Sequence, residues 1–350
     1  MTQPHPAPPS PLGIGVIGAG GIARRRTIPA MPGVPACRLA AVMDIADVDA
    51  IAAEFAAPAA YTSVESLLAD AAVEAVYIAT PVHLHRDQVT ACADAGKHVL
   101  CEKPLALTSA DAEAMDATCR DAGVVLREAY MMPFHGAHRA MKRVVDEGRI
   151  GTVVSVRAQL SCWYPPIDGA WRQKQALGGG GALMDLALHL YHLIEHLVAP
   201  IKDITAITGH LVHDYETEDA STTLLRLVNG AHATVDCFFC IPDAASRNRL
   251  EIYGSRGALV SEGTIGQDGG GTLWGCIQED DAAYDADQAA RTGGYVELPF
   301  ETVNPYAAEL EAFAAAVRNL DQGRETETHD TARMIRLIEA AYASAAARSK

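Results

Sequence analysis

Short apolar segments alternate with helical segments over the first third of this chain, and no other feature of the sequence restricts its fold as much. The buried strands predicted there are Gly13–Ile17, Arg38–Met43, Ala75–Ala79, Lys97–Cys101 and Val124–Leu126. The helices predicted between and after them are Gly21–Met31, Val48–Phe55, Val64–Ala69, His85–Ala95 and Ser109–Asp121. Alternation of this kind is typical of a parallel sheet with helices on both faces.

The pattern changes after residue 128, where strands begin to follow one another without helices between them. The strands predicted in this part are Val153–Leu160, Ile204–Gly209, Ala220–Leu227, Ala231–Phe239 and Arg249–Tyr253. The helices predicted in it are Phe134–Glu147, Ala182–Val198, Tyr306–Leu320 and Thr331–Ala345. Consecutive strands favour a mostly antiparallel sheet.

These patterns predict two domains after a tail. Residues 1–11 hold five prolines, which predicts a flexible, extended segment. Residues 12–129 are predicted to form an α/β domain with a Rossmann-type, doubly wound parallel sheet. Residues 130–350 are predicted to form an α+β domain with a mostly antiparallel, open sheet.

A glycine turn joins the first predicted strand to the first predicted helix. Gly18 and Gly20 begin a G-x-G-x-x-A motif that also contains Gly21 and Ile22 and ends at Ala23. Such a turn lets the backbone approach a pyrophosphate at a helix N-terminus. Asp44 ends the second strand, where a carboxylate can bind ribose hydroxyls and repel a 2′-phosphate. We expect NAD; the arginines at residues 24–26 leave NADP open, and an ordinary turn beside a surface Asp is the alternative.

A Glu-Lys-Pro segment follows the strand that ends at Cys101. Glu102 and Lys103 therefore lie at the carboxyl end of a parallel strand, where doubly wound sheets bind their ligands. Pro104 makes a cis peptide bond in a tight turn a reasonable expectation. The alternative is a surface loop with an ion pair.

The predicted helix Ala182–Val198 is apolar except for one polar stripe. Asp185, His189, His192 and His196 fall within about 60° of one another at roughly 100° per residue. This stripe indicates a functional cleft. Two alternatives stay open, namely a metal site with ligands at i, i+4 and i+7, and core histidines that are simply hydrogen-bonded.

Together these segments resemble the Gfo/Idh/MocA family of NAD(P)-dependent oxidoreductases. The matching residues are Ala95–Leu105, Thr80-Pro81, His85, Glu147–Gly151, Trp171-Arg172, Gly179–Asp185 and the segment after Asn304. The resemblance implies action on a sugar, inositol or related polyol, and an open sheet that pairs subunits into homodimers or homotetramers. Two departures concern the substrate: Val82 stands where the family often has Asn, and Met131-Met132-Pro133 replaces a stretch that often carries an Arg.

The resemblance also implies roles for individual residues. Lys103, Asp185 and His189 are expected to be catalytic. The cofactor set would combine the glycine turn and Asp44 with Thr80, Pro81, His85, Glu102, Lys103 and Arg172. The substrate set would be Lys103, Tyr164, Trp171, Asp185 and His189. His192 falls where the family often has Asp, so we leave it out of the chemistry.

Histidine suits general base catalysis because its ordinary pKa lies near neutrality. We therefore expect His189 to take the substrate's hydroxyl proton and Lys103 to stabilise charge on the reacting oxygen. Three alternatives remain: oxidation of a dihydrodiol, a glycosidase-like cycle that oxidises and re-reduces its sugar, and a regulator that senses NAD without turnover.

The net charge of −16 disfavours binding to nucleic acid, and no apolar run reaches the ~18 residues that a membrane helix needs. The eight cysteines are scattered and predict reduced thiols in a cytoplasmic protein. Cys237 and Cys240 form a C-x-x-C, for which a redox or zinc role is the less favoured interpretation.

Overall fold

The structure is a computed structural model, and it describes residues 10–278, 294–322 and 330–348. A first sheet has the order β3-β2-β1-β4-β5-β6, and all its strand pairs are parallel. Its strands are Leu12–Ile17 (β1), Cys37–Met43 (β2), Ala60–Tyr61 (β3), Ala75–Ile78 (β4), His98–Glu102 (β5) and Leu126–Ala129 (β6). Every residue of β1 and β4 is buried, as expected for central strands covered on both faces.

Helices connect these strands. They are Ala19–Thr27 (α1, which continues as Ile28–Ala30), Val48–Phe55 (α2), Val64–Leu68 (α3), His85–Asp94 (α4) and Ser109–Asp121 (α5). Two of them begin at residues that cap a helix well. Ser63 Oγ accepts from Ser66 N before α3, and Thr108 Oγ1 accepts from Asp111 N before α5. Strand order and helix positions confirm the doubly wound fold predicted for this part.

A second sheet has the order β14-β13-β12-β11-β7-β10-β9-β8. Its strands are Val153–Ser161 (β7), Ile201–Gly209 (β8), Ala220–Leu227 (β9), His232–Phe238 (β10), Arg249–Gly254 (β11), Gly257–Glu262 (β12), Thr272–Ile277 (β13) and Val296–Glu297 (β14). All pairs are antiparallel except β7 with β10. Burial alternates along β9 because one sheet face covers a core and the other lies open. The predicted mostly antiparallel, open sheet is confirmed.

Besides one turn at Gln175–Gly178, the helices after residue 130 are Gly136–Asp146 (α6), Leu183–Ala187 continuing as Leu188–Leu197 (α7), Pro305–Asp321 (α8) and Arg333–Arg348 (α9). Side chains of α6, α7 and α9 pack into the core of the second sheet. Helix α8 instead packs Leu310, Phe313 and Val317 into the core of the first sheet. This helix therefore belongs to the predicted second domain by chain position but packs with the first.

Several element bounds differ from the prediction. Strands β3, β12, β13 and β14 were not predicted, and β6 spans Leu126–Ala129, so it shares only Leu126 with the predicted strand Val124–Leu126. Helix α6 begins at Gly136 because Met132–Phe134 forms a separate turn around Pro133. Residues 1–9 of the predicted tail lie outside the described residues. Within the described ranges, no helix is long and apolar enough to cross a bilayer.

Candidate active site

A cleft of about 1160 Å³ lies where β1, β4 and β5 end and faces helix α7 of the second domain. This is the topological switch point of the first sheet, because the chain leaves β1 toward β2 on one side and reaches β4 on the other. The predicted site residues that line it are Gly18, Gly20, Gly21, Ile22, Asp44, Thr80, Pro81, Glu102, Lys103, Tyr164, Trp171, Arg172, Asp185 and His189. The cleft thus brings together residues that are far apart in the sequence.

The glycine turn forms one end of the cleft. Gly18 has φ +82°, and a Cβ there would lie 2.8 Å from the carbonyl carbon of Ala79, so the turn requires glycine. Gly20 N donates to Asp44 Oδ2 over 2.7 Å, and Ala46 N donates to Oδ1 over 3.2 Å. Asp44 is therefore held beside the turn, where a ribose would meet it. A dinucleotide fits this end of the cleft.

His85 occupies a different place from the other predicted cofactor residues. Its ring is buried, with Nε2 2.9 Å from Thr80 O and Nδ1 3.0 Å from Pro104 O. Burial lowers the pKa of His85, although the carbonyl oxygens of Thr80, Leu105 and Pro104 act in the opposite direction. His85 ties the loop after β4 to the loop after β5 beneath the cleft and does not line it.

The Glu-Lys-Pro segment lies at the floor of the cleft, and its Lys103–Pro104 peptide bond is cis. Tyr77 OH donates to Glu102 Oε1 over 2.6 Å, and Lys103 N lies 3.2 Å from Glu102 Oε2. Burial raises the pKa of Glu102. The Glu102 carboxyl is therefore held by the Tyr77 hydroxyl and the Lys103 backbone N–H, while the Lys103 side chain reaches the second domain.

Asp185 joins two cations across the cleft. Lys103 Nζ donates to Asp185 Oδ1 over 2.8 Å and to its carbonyl oxygen over 2.9 Å. Arg172 Nε donates to the same Oδ1 over 3.1 Å. Burial alone raises the pKa of Asp185, but the charges of Arg172 and Lys103 outweigh it and hold that pKa well below its usual range. Asp185 is thus ionised, and Lys103 pairs with it across the cleft, in contrast to the alternative of a surface loop with an ion pair.

His189 lies one helical turn after Asp185 and faces the same cleft. Burial, with the nearby charge of Lys103, lowers its pKa well below the ordinary value. Its Nδ1 is buried without a hydrogen-bond partner, which leaves Nε2 as the nitrogen for a substrate. His189 is therefore a neutral imidazole at physiological pH.

His192 stacks on Tyr130, with ring centroids 4.1 Å apart, and does not line the cleft. Nor does the stripe form a metal centre in the described part of the chain, where no three His, Cys, Asp or Glu side chains converge on one point. The polar stripe thus divides into two cleft residues, Asp185 and His189, and histidines that pack elsewhere.

The start of helix α7 is fixed by one carboxylate. Glu218 accepts from Gly181 N over 3.0 Å and from Leu183 N over 2.9 Å, and Tyr342 OH donates to it over 2.9 Å. Gly181 is required because a Cβ there would lie 1.8 Å from the Glu218 carbonyl oxygen. These contacts set the helix position from which Asp185 reaches Lys103.

The end of the cleft next to Asp185 combines aromatic, cationic and apolar groups. The Arg172 guanidinium lies 4.2 Å from the Trp171 ring centroid, and the Tyr164 ring is 5.0 Å from Phe239. Met131 and Met132 also line the cleft. Val82, the other departure from the family pattern, is buried and does not line the cleft.

The cleft also contains polar residues that the sequence did not assign to the site, among them His83, Gln88, Cys162, Asp243, Asn248, Gln267 and Tyr306. Arg25 lines the cleft too, and it is one of the three arginines that left NADP open. Asp243, Asn248 and Gln267 lie on loops of the second sheet, whose positions no short motif signals.

Fold, switch-point cleft and glycine turn define a dinucleotide-binding oxidoreductase. Residues 12–130 match the model of the oxidoreductase family with an NAD-binding Rossmann fold, and residues 138–260 match the GFO/IDH/MocA C-terminal domain. The chain belongs to the Gfo/Idh/MocA family, as its sequence motifs predicted.

Curated relatives extend this result. A D-xylose 1-dehydrogenase (NADP(+)) 2 from Haloferax volcanii is 32% identical over 95% of this chain and 96% of its own length. A 1,5-anhydro-D-fructose reductase from Ensifer adhaerens is 32% identical over 76% of this chain and 75% of its own. A trans-1,2-dihydrobenzene-1,2-diol dehydrogenase from Mus musculus is also 32% identical, over 62% of this chain and 63% of its own.

Among solved structures, an aldose-aldose oxidoreductase from Caulobacter crescentus, complexed with glycerol, superposes with a TM-score of 0.83. It is 25% identical, and the match covers 97% of this chain and 98% of that one. The two-domain arrangement seen here is therefore shared over nearly the whole chain.

Proposed function

We propose that this chain interconverts a hydroxyl and a carbonyl group on a sugar, a sugar derivative or a polyol. The observation that supports this most directly is the position of Lys103, whose Nζ lies 2.8 Å from Asp185 Oδ1 in the cleft that also contains His189 and the glycine turn. A cation, a carboxylate and a neutral imidazole beside a dinucleotide site are the groups that alcohol oxidation needs.

When bound, the dinucleotide accepts or supplies the hydride. In the oxidising direction, neutral His189 takes the hydroxyl proton through Nε2. Lys103 donates a hydrogen bond to the reacting oxygen and stabilises the negative charge that develops there. Asp185 holds the Lys103 ammonium in place and orients the substrate, while Tyr164 and Trp171 supply surface on which a sugar ring packs.

For the cofactor we propose NAD as the preferred form. Asp44 is already fixed beside the glycine turn by Gly20 N and Ala46 N. Its carboxylate accepts from ribose hydroxyls and repels a 2′-phosphate. Thr80, Pro81 and Glu102 contact the cofactor further along the cleft, and Arg172 contacts its nicotinamide end. His85 acts through the two loops that it joins.

We also propose a cytoplasmic homodimer or homotetramer. The outer face of the second sheet carries Ile207 and Leu224, which are 67% and 55% exposed, among polar residues such as Arg157 and Thr234. Exposed apolar side chains on an open sheet face favour burial against a second copy. Light scattering coupled to size exclusion measures the subunit number, and a monomer at all concentrations would contradict this assignment.

A dihydrodiol is the second candidate substrate. Met131 and Met132 give the substrate end an apolar wall, which accommodates a carbocyclic diol as well as a sugar. This alternative uses the same Lys103, Asp185 and His189 chemistry and differs only in the ring that carries the hydroxyls.

The test follows the absorbance of reduced nicotinamide with NAD and NADP, each against aldoses, inositols, anhydro sugars, sugar acids and dihydrodiols. We expect turnover on a sugar or polyol with NAD preferred. Turnover on dihydrodiols alone would select the second candidate. Tight cofactor binding without turnover on any substrate would contradict the proposal and favour an NAD-sensing regulator, or a cycle that re-reduces its own product.

A further inference from the structure

The three arginines after the glycine turn have three different surroundings. Arg24 Nη2 lies 2.6 Å from Glu54 Oε2, and Arg26 Nε donates to Gln267 Oε1 over 3.1 Å. Arg25 is exposed, lines the cleft and forms no ion pair with any residue in the described ranges. The cleft therefore contains a cation whose charge the described residues do not neutralise.

The position of Arg25 along the cleft can be fixed from its neighbours. Ile22 and Arg25 are three residues apart on α1 and both line the cleft, so they share the helix face that a ligand meets. Thr27 of the same helix donates to the hydroxyl of Tyr77 on β4 over 3.0 Å, and Tyr77 in turn donates to Glu102 at the end of β5. The helix that carries Arg25 therefore lies on the β4–β5 side of the glycine turn.

Asp44 lies on the opposite side of that turn, at the end of β2, because β1 separates β2 from β4 in the sheet. An adenosine ribose bound at Asp44 would place its 2′ position on the β2 side of the turn, away from Arg25. The part of a dinucleotide that crosses from one side of the turn to the other is its pyrophosphate.

A second donor reaches the same region from the other domain. Gln267 stands on the loop between β12 and β13 and lines the cleft with Ile265. Because its Oε1 accepts from Arg26, its amide nitrogen is the group left to donate. The loop is held in place by His135, whose Nε2 lies 3.0 Å from Gly270 O.

We propose that Arg25 and the amide of Gln267 bind the pyrophosphate of the dinucleotide, and that Arg25 does not contact the 2′-phosphate of NADP. The glycine turn supplies backbone N–H groups from below, Arg25 supplies a full charge, and Gln267 supplies a donor from the second domain. This inference rests on the proposed function in placing the dinucleotide in this cleft, and it adds the side chains that hold its phosphates.

The test compares dissociation constants of the whole protein for NADH, NADPH and ADP-ribose, measured by calorimetry, and for adenosine, measured by displacement of NADH. The variants are Arg25→Gln, Gln267→Ala and, as matched control, Arg24→Gln. We expect Arg25→Gln to weaken NADH, NADPH and ADP-ribose equally, by about tenfold, as for loss of one charge-assisted contact. Adenosine, which has no phosphate, should bind unchanged.

Arg24→Gln should leave every constant within about twofold, because an exposed ion pair contributes little. Gln267→Ala should weaken NADH by about threefold, the effect of one neutral hydrogen bond. Added salt should weaken NADH binding less in Arg25→Gln than in the wild type, since a charge–charge contact is removed.

Loss confined to NADPH would place Arg25 at the 2′-phosphate and overturn the inference. Equal weakening of adenosine binding would show a general disturbance of the site and would overturn the inference. Unchanged binding of all ligands would overturn it as well. A wild type that binds neither NADH nor ADP-ribose would instead contradict the cofactor assignment of the proposed function, so the two failures are distinguishable.

Discussion

The two ends of the cleft are built from different materials. The cofactor end consists of a glycine turn, the N-terminus of α1 and one carboxylate, Asp44, held by two backbone N–H groups. The proposed reaction end consists of partly or fully buried side chains, in which Asp185 bridges Lys103 and Arg172 while His189 stays neutral. Backbone can position a large ligand, whereas proton transfer and charge stabilisation need side chains whose pKa values are set by their surroundings.

The two ends of the cleft also differ in the domains that supply their residues. The glycine turn and Asp44 both come from the first domain, while the reaction end needs Lys103 from the first domain and Asp185 from the second. The reaction end is therefore complete only when the domains are docked. Substitutions at the two ends should accordingly change different measurements, and the following predictions test that separation in order of effect.

Asp185→Asn should have the largest effect. It keeps the shape of the side chain but removes the charge that holds Lys103 and Arg172, so we expect kcat/KM to fall by roughly 10³-fold. The dissociation constant of NADH should change less than about twofold. Steady-state kinetics and calorimetry measure both. Asp168→Asn, on an exposed loop, is the matched control, and an equal loss of cofactor binding in Asp185→Asn would break the separation.

Acid should lower the free energy of unfolding through protonation of His138, a buried residue on helix α6. Burial lowers the pKa of His138 to about 3, while its Nδ1 lies 2.7 Å from Met132 O and its Nε2 lies 3.1 Å from Thr264 Oγ1. The unfolded chain binds this proton near pH 6.5 and the folded chain does not, so stability is full above pH 6.5 and is lost as the pH falls toward 3.

At pH 5 this group alone should cost about 2 kcal/mol of unfolding free energy. Urea unfolding at pH 7 and pH 5 measures the loss, and His138→Asn should reduce the difference between the two pH values by that amount. An unchanged pH dependence in the variant would show that His138 titrates normally.

Asp44→Ala should change only the cofactor end. We expect NAD to bind about tenfold more weakly, because charge-assisted bonds to the ribose are lost, and the discrimination against NADP to decrease. Values of kcat at saturating NAD should stay near those of the wild type. Loss of kcat with unchanged NAD affinity would reverse the roles of the two ends.

The pH profile of the wild type should show the smallest change. Burial and the charge of Lys103 hold the pKa of His189 well below its ordinary value of 6.5, so this ring is neutral at physiological pH. The inflection of kcat/KM for oxidation that reports this base should therefore lie well below pH 6.5. An inflection near 6.5 that His189→Asn removes would contradict the neutral, buried state of this ring.

More of the cofactor end than of the reaction end could be predicted from the sequence. The glycine turn and Asp44 follow from local spacing, because each lies at the end of a strand whose apolar pattern is clear. Lys103, Asp185 and His189 were identified from a polar stripe and from resemblance, but the ion pair between Lys103 and Asp185 joins residues 82 positions apart. No local pattern specifies such a contact.

The differences between the predicted and the observed positions also have physical reasons. His85 has the polarity of a site residue, yet its two ring nitrogens face backbone carbonyl oxygens of the loops after β4 and β5 and not the cleft. Strands β12 and β13 contain Gly257, Gly275 and Trp274, a composition that weakens the alternating strand pattern. Gln267 reaches the cleft only because these two strands pair and carry their connecting loop across to α1.

The central claim is that Lys103 acts in the reaction and not in holding the cofactor, and Lys103→Ala tests it most directly. The measurement pairs kcat on the best substrate with the dissociation constant of NADH, and uses Lys174→Ala, an exposed lysine, as the control. We expect kcat to fall by roughly 10³-fold while NADH affinity stays within about threefold of the wild type. Equal losses in turnover and in NADH affinity would contradict the account.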